Sequence, residues 1–216
     1  HALGRVVDTK ASGGRPGVCF LGRLPWLRAA GRPPFSLQGS MDRLRQSFFE
    51  WFDMPERFAI DAQGLDAAYR HVQTAVHPDR FAQAPEHERR LAMQWATQAN
   101  EAYRTLRDPT RRARYLCERH GVDLGIETNT AMSPAFLMQQ MAWREQLDEA
   151  RDAADLAAID ALADELEATR QRMLARITVT LDESHDYPAA GAQVRELMFV
   201  DRFAQDVRDA IERLDR

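Results

Sequence analysis

A chain of 216 residues with a mass of 24.7 kDa can hold one large domain or two small ones. Apolar residues make up 44% of it and charged residues 29%, a composition typical of globular proteins that excludes collagen, mucin-like stalks and wholesale disorder. The chain contains no window of about 20 apolar residues, so we expect no membrane-spanning segment and no membrane partner.

The first forty residues differ from the rest in charge. They hold six cations against the single acid Asp8, a formal charge of +5. Because the whole chain carries −4, the other 176 residues carry −9, which argues against nucleic acid as a partner of the folded part. The same forty residues hold seven of the eleven glycines and no periodic apolar pattern, so we interpret them as a disordered basic extension.

The origin of this extension stays open at this point. An arginine-rich leader of mitochondrial type is one alternative, whereas a secretory leader is disfavoured because Arg23 and Pro25 interrupt its apolar stretch. We favour a native chain that begins at Met41, with the preceding residues derived from an upstream start.

The two cysteines, Cys19 and Cys117, are too few for a disulfide framework, and neither belongs to a CxxC pair. We therefore expect a reducing compartment: the cytoplasm, or the mitochondrial matrix in a eukaryote. Cys117 and His120 have a CxxH spacing, but two ligands alone do not hold zinc tightly. The sequence contains no phosphate-binding GxxxxGK[ST] loop and no nucleophile signature, so we predict no catalytic residue, no metal and no cofactor.

From Met41 onwards the apolar residues recur at helical spacing, without strand-like alternation or a hairpin dipeptide. This pattern predicts an all-α fold. A short apolar helix over 48–52 precedes Pro55, and Asp61 is expected to cap a second helix that starts near Gly64. One stripe of apolar residues on that second helix is predicted to face inward: Leu65, Tyr69, Val72 and Val76.

The second helix is predicted to end at His77, because Pro78 cannot continue a helix and moves the preceding residue out of the α region. His77 and Asp79 should then lie in a solvent-exposed loop. The alternative is that they are ordinary capping residues of that loop. A long helix over 86–106 follows, and Asp108 is expected to end it.

Four pieces of this region together resemble a J-domain in their order and spacing. They are Tyr69-Arg70, His77-Pro78-Asp79-Arg80-Phe81, the run from Asn100 to Pro109, and Arg111-Arg112-Ala113-Arg114-Tyr115. The tripeptide His-Pro-Asp alone would be a weak signal, but the four pieces together are specific.

The continuation of the chain resembles the HscB family, the J-type co-chaperones of iron-sulfur cluster assembly. It lacks the Gly/Phe-rich linker and the zinc-binding cysteines that follow most J-domains, and it contains Phe136-Leu137-Met138 and later the run 195–199. The resemblance covers about residues 46 to 216. It implies a J-domain at 46–120, a connector at 121–132 and a three-helix bundle at 133–216.

The resemblance also implies partners and binding residues. The partners would be the Hsp70-type ATPase HscA, which the J-domain stimulates, and the cluster scaffold IscU, which the bundle recruits. The chaperone-binding residues would be Arg70, His71, His77, Pro78, Asp79 and Arg80. The scaffold-binding residues would be Leu137, Met138, Met141, Glu145, Glu149 and Phe199. One acidic position of the family is Ala142 here, and Gln73 and Thr74 stand where cations are common, so both electrostatic contacts should be modest.

Helical periodicity supports the scaffold-binding assignment independently. At about 100° per residue, Phe136, Trp143 and Leu147 fall on one line that should be buried. A second stripe lies on the far side of the same helix, and we call it the acidic–apolar stripe: Leu137, Met138, Met141, Glu145 and Glu149. An exposed patch of this kind often marks a partner site. The alternative is that its two methionines are satellite core contacts.

Phe199 lies about 120° from the middle of the apolar row of the last helix, which predicts a second exposed anchor. Packing inside the bundle is the alternative for this ring. The middle helix of the bundle shows only a core stripe, so we assign it to packing. For Arg70, His71 and Arg80, the alternative to chaperone binding is a solvent-exposed face without a partner.

Two other functions remain open. The chain could be a general J-protein that delivers unfolded clients through the same bundle, or a structural helical protein whose His-Pro-Asp loop is unused. A folded scaffold should bind the acidic–apolar stripe in one-to-one stoichiometry, whereas unfolded chains should compete broadly.

Overall fold

The computed structural model describes residues 44–125 and 132–214, and within these ranges every regular element is helical. The expected all-α fold is therefore confirmed. The basic extension expected at 1–40 and residues 126–131 of the expected connector lie outside the described residues. In the described ranges, we find no helix that is both long and apolar enough to cross a membrane.

Six α-helices account for most of the structure. They are α1 (Ala62–Val76), α2 (Glu86–Arg107), α3 (Pro109–Arg119), α4 (Pro134–Asp152), α5 (Leu156–Thr178) and α6 (Tyr187–Leu214). Three short turns connect or precede them: a 3₁₀ turn at Glu50–Phe52, a second 3₁₀ turn at Pro78–Phe81, and a π-helical turn at Val179–Glu183.

Short polar side chains cap the helix starts, as the sequence predicts. Asp61 accepts a hydrogen bond from the Gln63 amide at 3.0 Å, so α1 begins two residues before the expected Gly64. Asp108 accepts one from the Arg111 amide at 2.8 Å, and Pro109 occupies the first turn of α3. Each cap partners an amide that the first helical turn would otherwise leave unpaired.

Helices α1 and α2 pack together and position the loop between them. The predicted stripe of α1 is buried at Leu65, Val72 and Val76, and Trp95 and Leu106 meet it from α2. Tyr69, predicted as a core residue, is half-buried, because its hydroxyl group donates to Asn100 Oδ1 at 2.8 Å. A phenol this close to the surface keeps its polar end hydrogen-bonded while its ring packs.

Helices α4, α5 and α6 form the C-terminal bundle. Its core is apolar and takes one stripe from each helix. The fully buried large side chains are Trp143, Ile159, Leu166, Ile177 and Leu197. The middle helix α5 contributes Ile159, Leu162, Leu166, Met173 and Ile177 to this core, which confirms that its core stripe packs inward.

The C-terminal bundle packs directly on the N-terminal half of the structure, chiefly through α6 against α3. At Gly191 the backbone of α6 lies close to side chains that follow α3, because a Cβ atom there would lie 2.9 Å from Val122 Cγ1 and 3.3 Å from Leu124 Cδ2. A larger residue at this position would force one of these side chains or the helix to shift. The described ranges therefore form one continuous core.

Candidate functional site

The His-Pro-Asp sequence lies at the end of α1, where the backbone leaves the helix at His77 with φ −59° and ψ 130°. The His77 carbonyl accepts the Arg80 amide at 3.0 Å, so the chain turns at once into the 3₁₀ turn Pro78–Phe81. The imidazole and the Asp79 carboxylate are both exposed, with 3.6 Å between His77 Nδ1 and Asp79 Oδ2. The predicted exposure of this pair is confirmed.

The other chaperone-binding residues implied by the resemblance lie around the same turn. Arg70 and His71 are exposed on the last turns of α1, and Arg80 is exposed within the 3₁₀ turn, where its Nη1 lies 3.5 Å from the Thr74 carbonyl oxygen. A shallow cleft of about 460 Å³ lies at this turn, and Gln73, Thr74, His77 and Arg80 line it.

A hydrogen-bonded chain ties α1 to α2 beside this cleft. Gln73 Nε2 donates to the Tyr69 hydroxyl at 3.3 Å, and that hydroxyl donates to Asn100 at 2.8 Å. One helical turn earlier, Asp66 accepts hydrogen bonds from the Tyr103 hydroxyl and from Arg107, and the bond to Asp66 raises the pKa of Tyr103. The sequence marks Gln73 only as a position where cations are common and Asn100 only as part of the J-domain resemblance, because the link between them is visible only once the two helices are packed.

The acidic–apolar stripe lies on the solvent side of α4. Leu137, Met138 and Met141 are 44%, 72% and 71% exposed, whereas Trp143 on the opposite side is buried. Glu145 and Glu149 are also exposed. The buried indole of Trp143 donates to Glu165 of α5 at 2.8 Å and so fixes the rotation of α4. The two methionines are therefore not satellite core contacts, and the prediction that this face is exposed is confirmed.

Phe199 is half-buried, so the prediction of an exposed anchor is wrong. Its ring lies 5.8 Å from Phe136 in an edge-to-face contact and 6.0 Å from Phe203 in a stacked one, measured between centroids. Helix α4 covers this flank of α6, and the periodicity of one helix does not show which neighbour covers it.

Arg144 is a residue of this region that sequence reasoning missed. Its guanidinium group lies over the ring of Phe199, 5.5 Å from the centroid, and it is exposed beside the acidic–apolar stripe. Arg144 therefore separates Phe199 from solvent on the stripe side. No sequence signal marks this arginine, because the contact joins two helices that are far apart in the chain.

Cys117 and His120 have separate surroundings. The Cys117 thiol is buried, 3.9 Å from the Tyr187 carbonyl oxygen, and burial raises its pKa to about 11. His120 is exposed, stacks on the Tyr187 ring at 3.7 Å between centroids, and lies 3.4 Å from Glu56. Within the described ranges, no group of three or more His, Cys, Asp or Glu side chains is arranged to hold a metal ion.

Comparison with known proteins decides the family. Residues 132–208 match the family model described as the HSCB C-terminal oligomerisation domain. The co-chaperone protein HscB homolog of Burkholderia multivorans is 55% identical over 175 residues, which cover 81% of this chain and 99% of that protein. The homolog of Bordetella petrii is 60% identical over 163 residues, which cover 75% and 94%.

The chain belongs to the HscB co-chaperone family. It is therefore a co-chaperone, and the resemblance found in the sequence is confirmed.

Two solved HscB structures share the fold. The chaperone HscB from Vibrio cholerae superimposes with a TM-score of 0.69 at 36% identity, over 78% of this chain and 99% of that one. The human co-chaperone HscB superimposes with a TM-score of 0.71 at 25% identity, over 76% and 81%. The architecture is thus the HscB one, with an N-terminal J-domain followed by a C-terminal three-helix bundle.

Proposed function

We propose that this HscB family member acts in iron-sulfur cluster biogenesis as an adaptor between two proteins. Its J-domain, residues 46–120, stimulates the ATPase of an Hsp70-type chaperone, HscA. Its bundle, residues 133–216 after a connector at 121–132, recruits the scaffold IscU and so assists cluster transfer and the maturation of iron-sulfur proteins. The observation that carries this proposal is the presence of two exposed surfaces, the His-Pro-Asp turn and the acidic–apolar stripe, on one continuous core.

The turn supplies the chaperone-binding surface. The side chain of Asp79 is 91% exposed, so its carboxylate is available to a cation of the ATPase. Removing one partner of such a hydrogen-bonded charge pair, once buried in an interface, costs about 2–5 kcal/mol. Arg70 and Arg80 are exposed cations on either side of His77 in the sequence, which would suit an acidic ATPase surface, and His71 is exposed beside Arg70. Only two arginines supply permanent charge, so long-range steering should be modest.

The stripe supplies the scaffold-binding surface. Three apolar side chains project into water from one side of α4, and burying one of them fully stabilises a complex by about 1.5–3 kcal/mol before the entropy of association is counted. Glu145 and Glu149 favour a partner with basic residues opposite them. Phe199 is half-buried beneath Arg144 at the border of this surface, and its exposed part would add apolar area to the scaffold contact.

Joining the two surfaces in one protein raises the concentration of each partner near the other, which for short links reaches the millimolar range. The chain itself contains no phosphate-binding loop, so the ATP would be hydrolysed by the partner and not by this protein. We place this activity in the cytoplasm, or in the mitochondrial matrix in a eukaryote.

Single-turnover ATP hydrolysis by the cognate 70-kDa chaperone tests the proposal. We expect this protein alone to accelerate hydrolysis and the cluster scaffold to increase that effect synergistically. The control replaces the scaffold by a permanently unfolded protein. Equal enhancement by both would favour a general J-protein that delivers unfolded clients. No stimulation at all would contradict both the adaptor function and the general J-protein function.

A further inference from the structure

One carboxylate of the bundle holds the chain segment that leads into α1. Asp182, in the π-helical turn after α5, accepts hydrogen bonds from the main-chain amides of Phe58 and Ala59 at 2.6 and 2.8 Å, one on each oxygen. These residues are more than 120 positions apart in the sequence. Two charge-assisted hydrogen bonds to neighbouring amides fix both the position and the direction of that segment.

The π-helical turn brings Asp182 to this position. Hydrogen bonds in a π-helix join residues five apart instead of four, and the Ser184 amide accordingly donates to the Val179 carbonyl at 3.0 Å. The extra residue changes the direction in which the side chains of the turn point relative to α5. Single π turns of this kind often occur at functional positions in helices.

A buried cation lies at the same contact. Arg112 of α3 is 9% exposed, and its guanidinium group lies over the Phe58 ring at 4.9 Å from the centroid. Burial lowers the pKa of Arg112 to about 10, and the charges of Asp108 and Asp182 oppose that effect. Asp182 therefore both orients the segment at Phe58 and supplies negative charge near a cation that has little access to water.

Other contacts between the J-domain side and the bundle involve α3 and the residues after it. Thr110 of α3 donates a hydrogen bond to Asp201 of α6, and Val122, after α3, packs beside Gly191 of α6. The contact of Asp182 is made instead with the segment that ends at Asp61, the cap of α1. Helix α1 carries the His-Pro-Asp turn at its other end, so Asp182 is linked to that turn through the short segment before Ala62 and one helix.

We propose that Asp182 is a positioning residue that fixes the orientation of the chaperone-binding turn relative to the scaffold-binding stripe. It touches neither partner. Its removal would leave each surface able to bind and the α3–α6 contact in place, but it would release the segment that sets the direction of α1 and so loosen the relative orientation of the two bound partners. The proposal rests on the adaptor function proposed above. It adds that the effect of the scaffold on ATPase stimulation depends on the relative orientation of the two surfaces.

The test uses the full chain with Asp182→Asn, which keeps the size of the side chain but turns one acceptor into a donor. We expect the amide hydrogens of Phe58 and Ala59 to exchange about tenfold faster, since a hydrogen bond to a charged acceptor is lost. Stimulation of the ATPase without scaffold and the scaffold affinity should stay within about twofold of the original. The additional stimulation by the scaffold should fall about fivefold or more, since misoriented partners lose the effective concentration that rigid linkage supplies.

Asp186→Asn is the matched control. Asp186 lies on the same connection, and its side chain accepts a local hydrogen bond from the Ala189 amide at 3.0 Å. Asparagine is an equally good cap there, so the synergy should be retained. If Asp182→Asn fails to fold, Asp182→Glu serves instead, because it keeps the charge near Arg112 and displaces only the accepting oxygens.

Two results would overturn the proposal. One is full synergy in the variant despite faster exchange at Phe58 and Ala59. The other is an equal loss of stimulation with and without scaffold, which would mean general damage to the J-domain. Absence of synergy in the unmodified protein would instead contradict the proposed function, so the two failures are distinguishable.

Discussion

Asp201 of α6 accepts a hydrogen bond from the hydroxyl of Thr110 in α3 at 2.5 Å, across 91 positions of sequence. Its other oxygen accepts one from Arg170 of α5 at 2.8 Å, so a single carboxylate joins three helices.

Thr110→Val keeps the shape of the side chain and removes the donor, and we expect it to lower the free energy of unfolding by about 1–2 kcal/mol. Urea denaturation measures this change. Thr97→Val, which removes only an exposed bond to the carbonyl of the preceding turn, should change stability by less than half as much.

Asp79→Asn should abolish stimulation of the ATPase. The side chain is exposed and lies 3.6 Å from His77, so we expect its replacement to leave folding unchanged. We expect loss of stimulation by at least tenfold with an unchanged scaffold affinity, because a charge pair with the ATPase is lost. Asp152→Asn, an exposed position at the end of α4, is the control and should behave like the original. Retained stimulation in Asp79→Asn would show that this carboxylate is not part of the chaperone contact.

The double variant Leu137→Ala with Met141→Ala should weaken scaffold binding about tenfold to a hundredfold, because apolar area that the complex buries is removed. Both side chains project into solvent, so the thermal midpoint should not fall. Calorimetric titration with the scaffold measures the affinity. Met93→Ala is the matched control, since Met93 is 60% exposed on α2, outside the stripe. Unchanged affinity in the double variant would exclude the stripe as the scaffold contact.

Phe199→Ala should lower stability, unlike the changes in the stripe. The ring packs on Phe136 and Phe203 and lies under Arg144, so its removal leaves a partly filled gap. We expect a loss of about 1–3 kcal/mol, below the 3–5 kcal/mol typical of fully buried phenylalanines. Phe199→Leu should lose less than half of that. A variant with full stability and weakened scaffold binding would instead support the exposed anchor that the sequence predicts.

Cys117 gives a prediction about pH. Its thiol has a pKa of about 11 in the folded chain, raised from 9.0 by burial, so the unfolded chain loses this proton first as the pH rises. The protonated thiol therefore stabilises the folded chain fully below pH 9. Between pH 9 and pH 11 the free energy of unfolding should fall progressively, by about 2–3 kcal/mol in total. Urea titrations at several pH values should show a smaller decline in Cys117→Ala. Equal declines in both chains would mean that this thiol is not protected by burial.

Features that lie within one helix could be predicted from the sequence. The exposure of Met138 opposite the buried Trp143 follows from helical spacing, and the exposed turn follows from the backbone restrictions of Pro78. Contacts between elements could not be predicted in this way. Three features depend on how separate elements approach each other, which periodicity does not encode: the partial burial of Phe199, the cover that Arg144 supplies and the bond of Asp182 to Phe58.

The amides that Asp182 binds belong to the main chain. Every amino acid except proline supplies such a donor, so the side chain at position 59 is free to drift during evolution without loss of this contact. Coevolution between 59 and 182 should therefore be undetectable, although the two residues touch. A search for the residues that orient the J-domain should accordingly look for an acid at 182 and for the absence of proline at 58 and 59, not for correlated pairs.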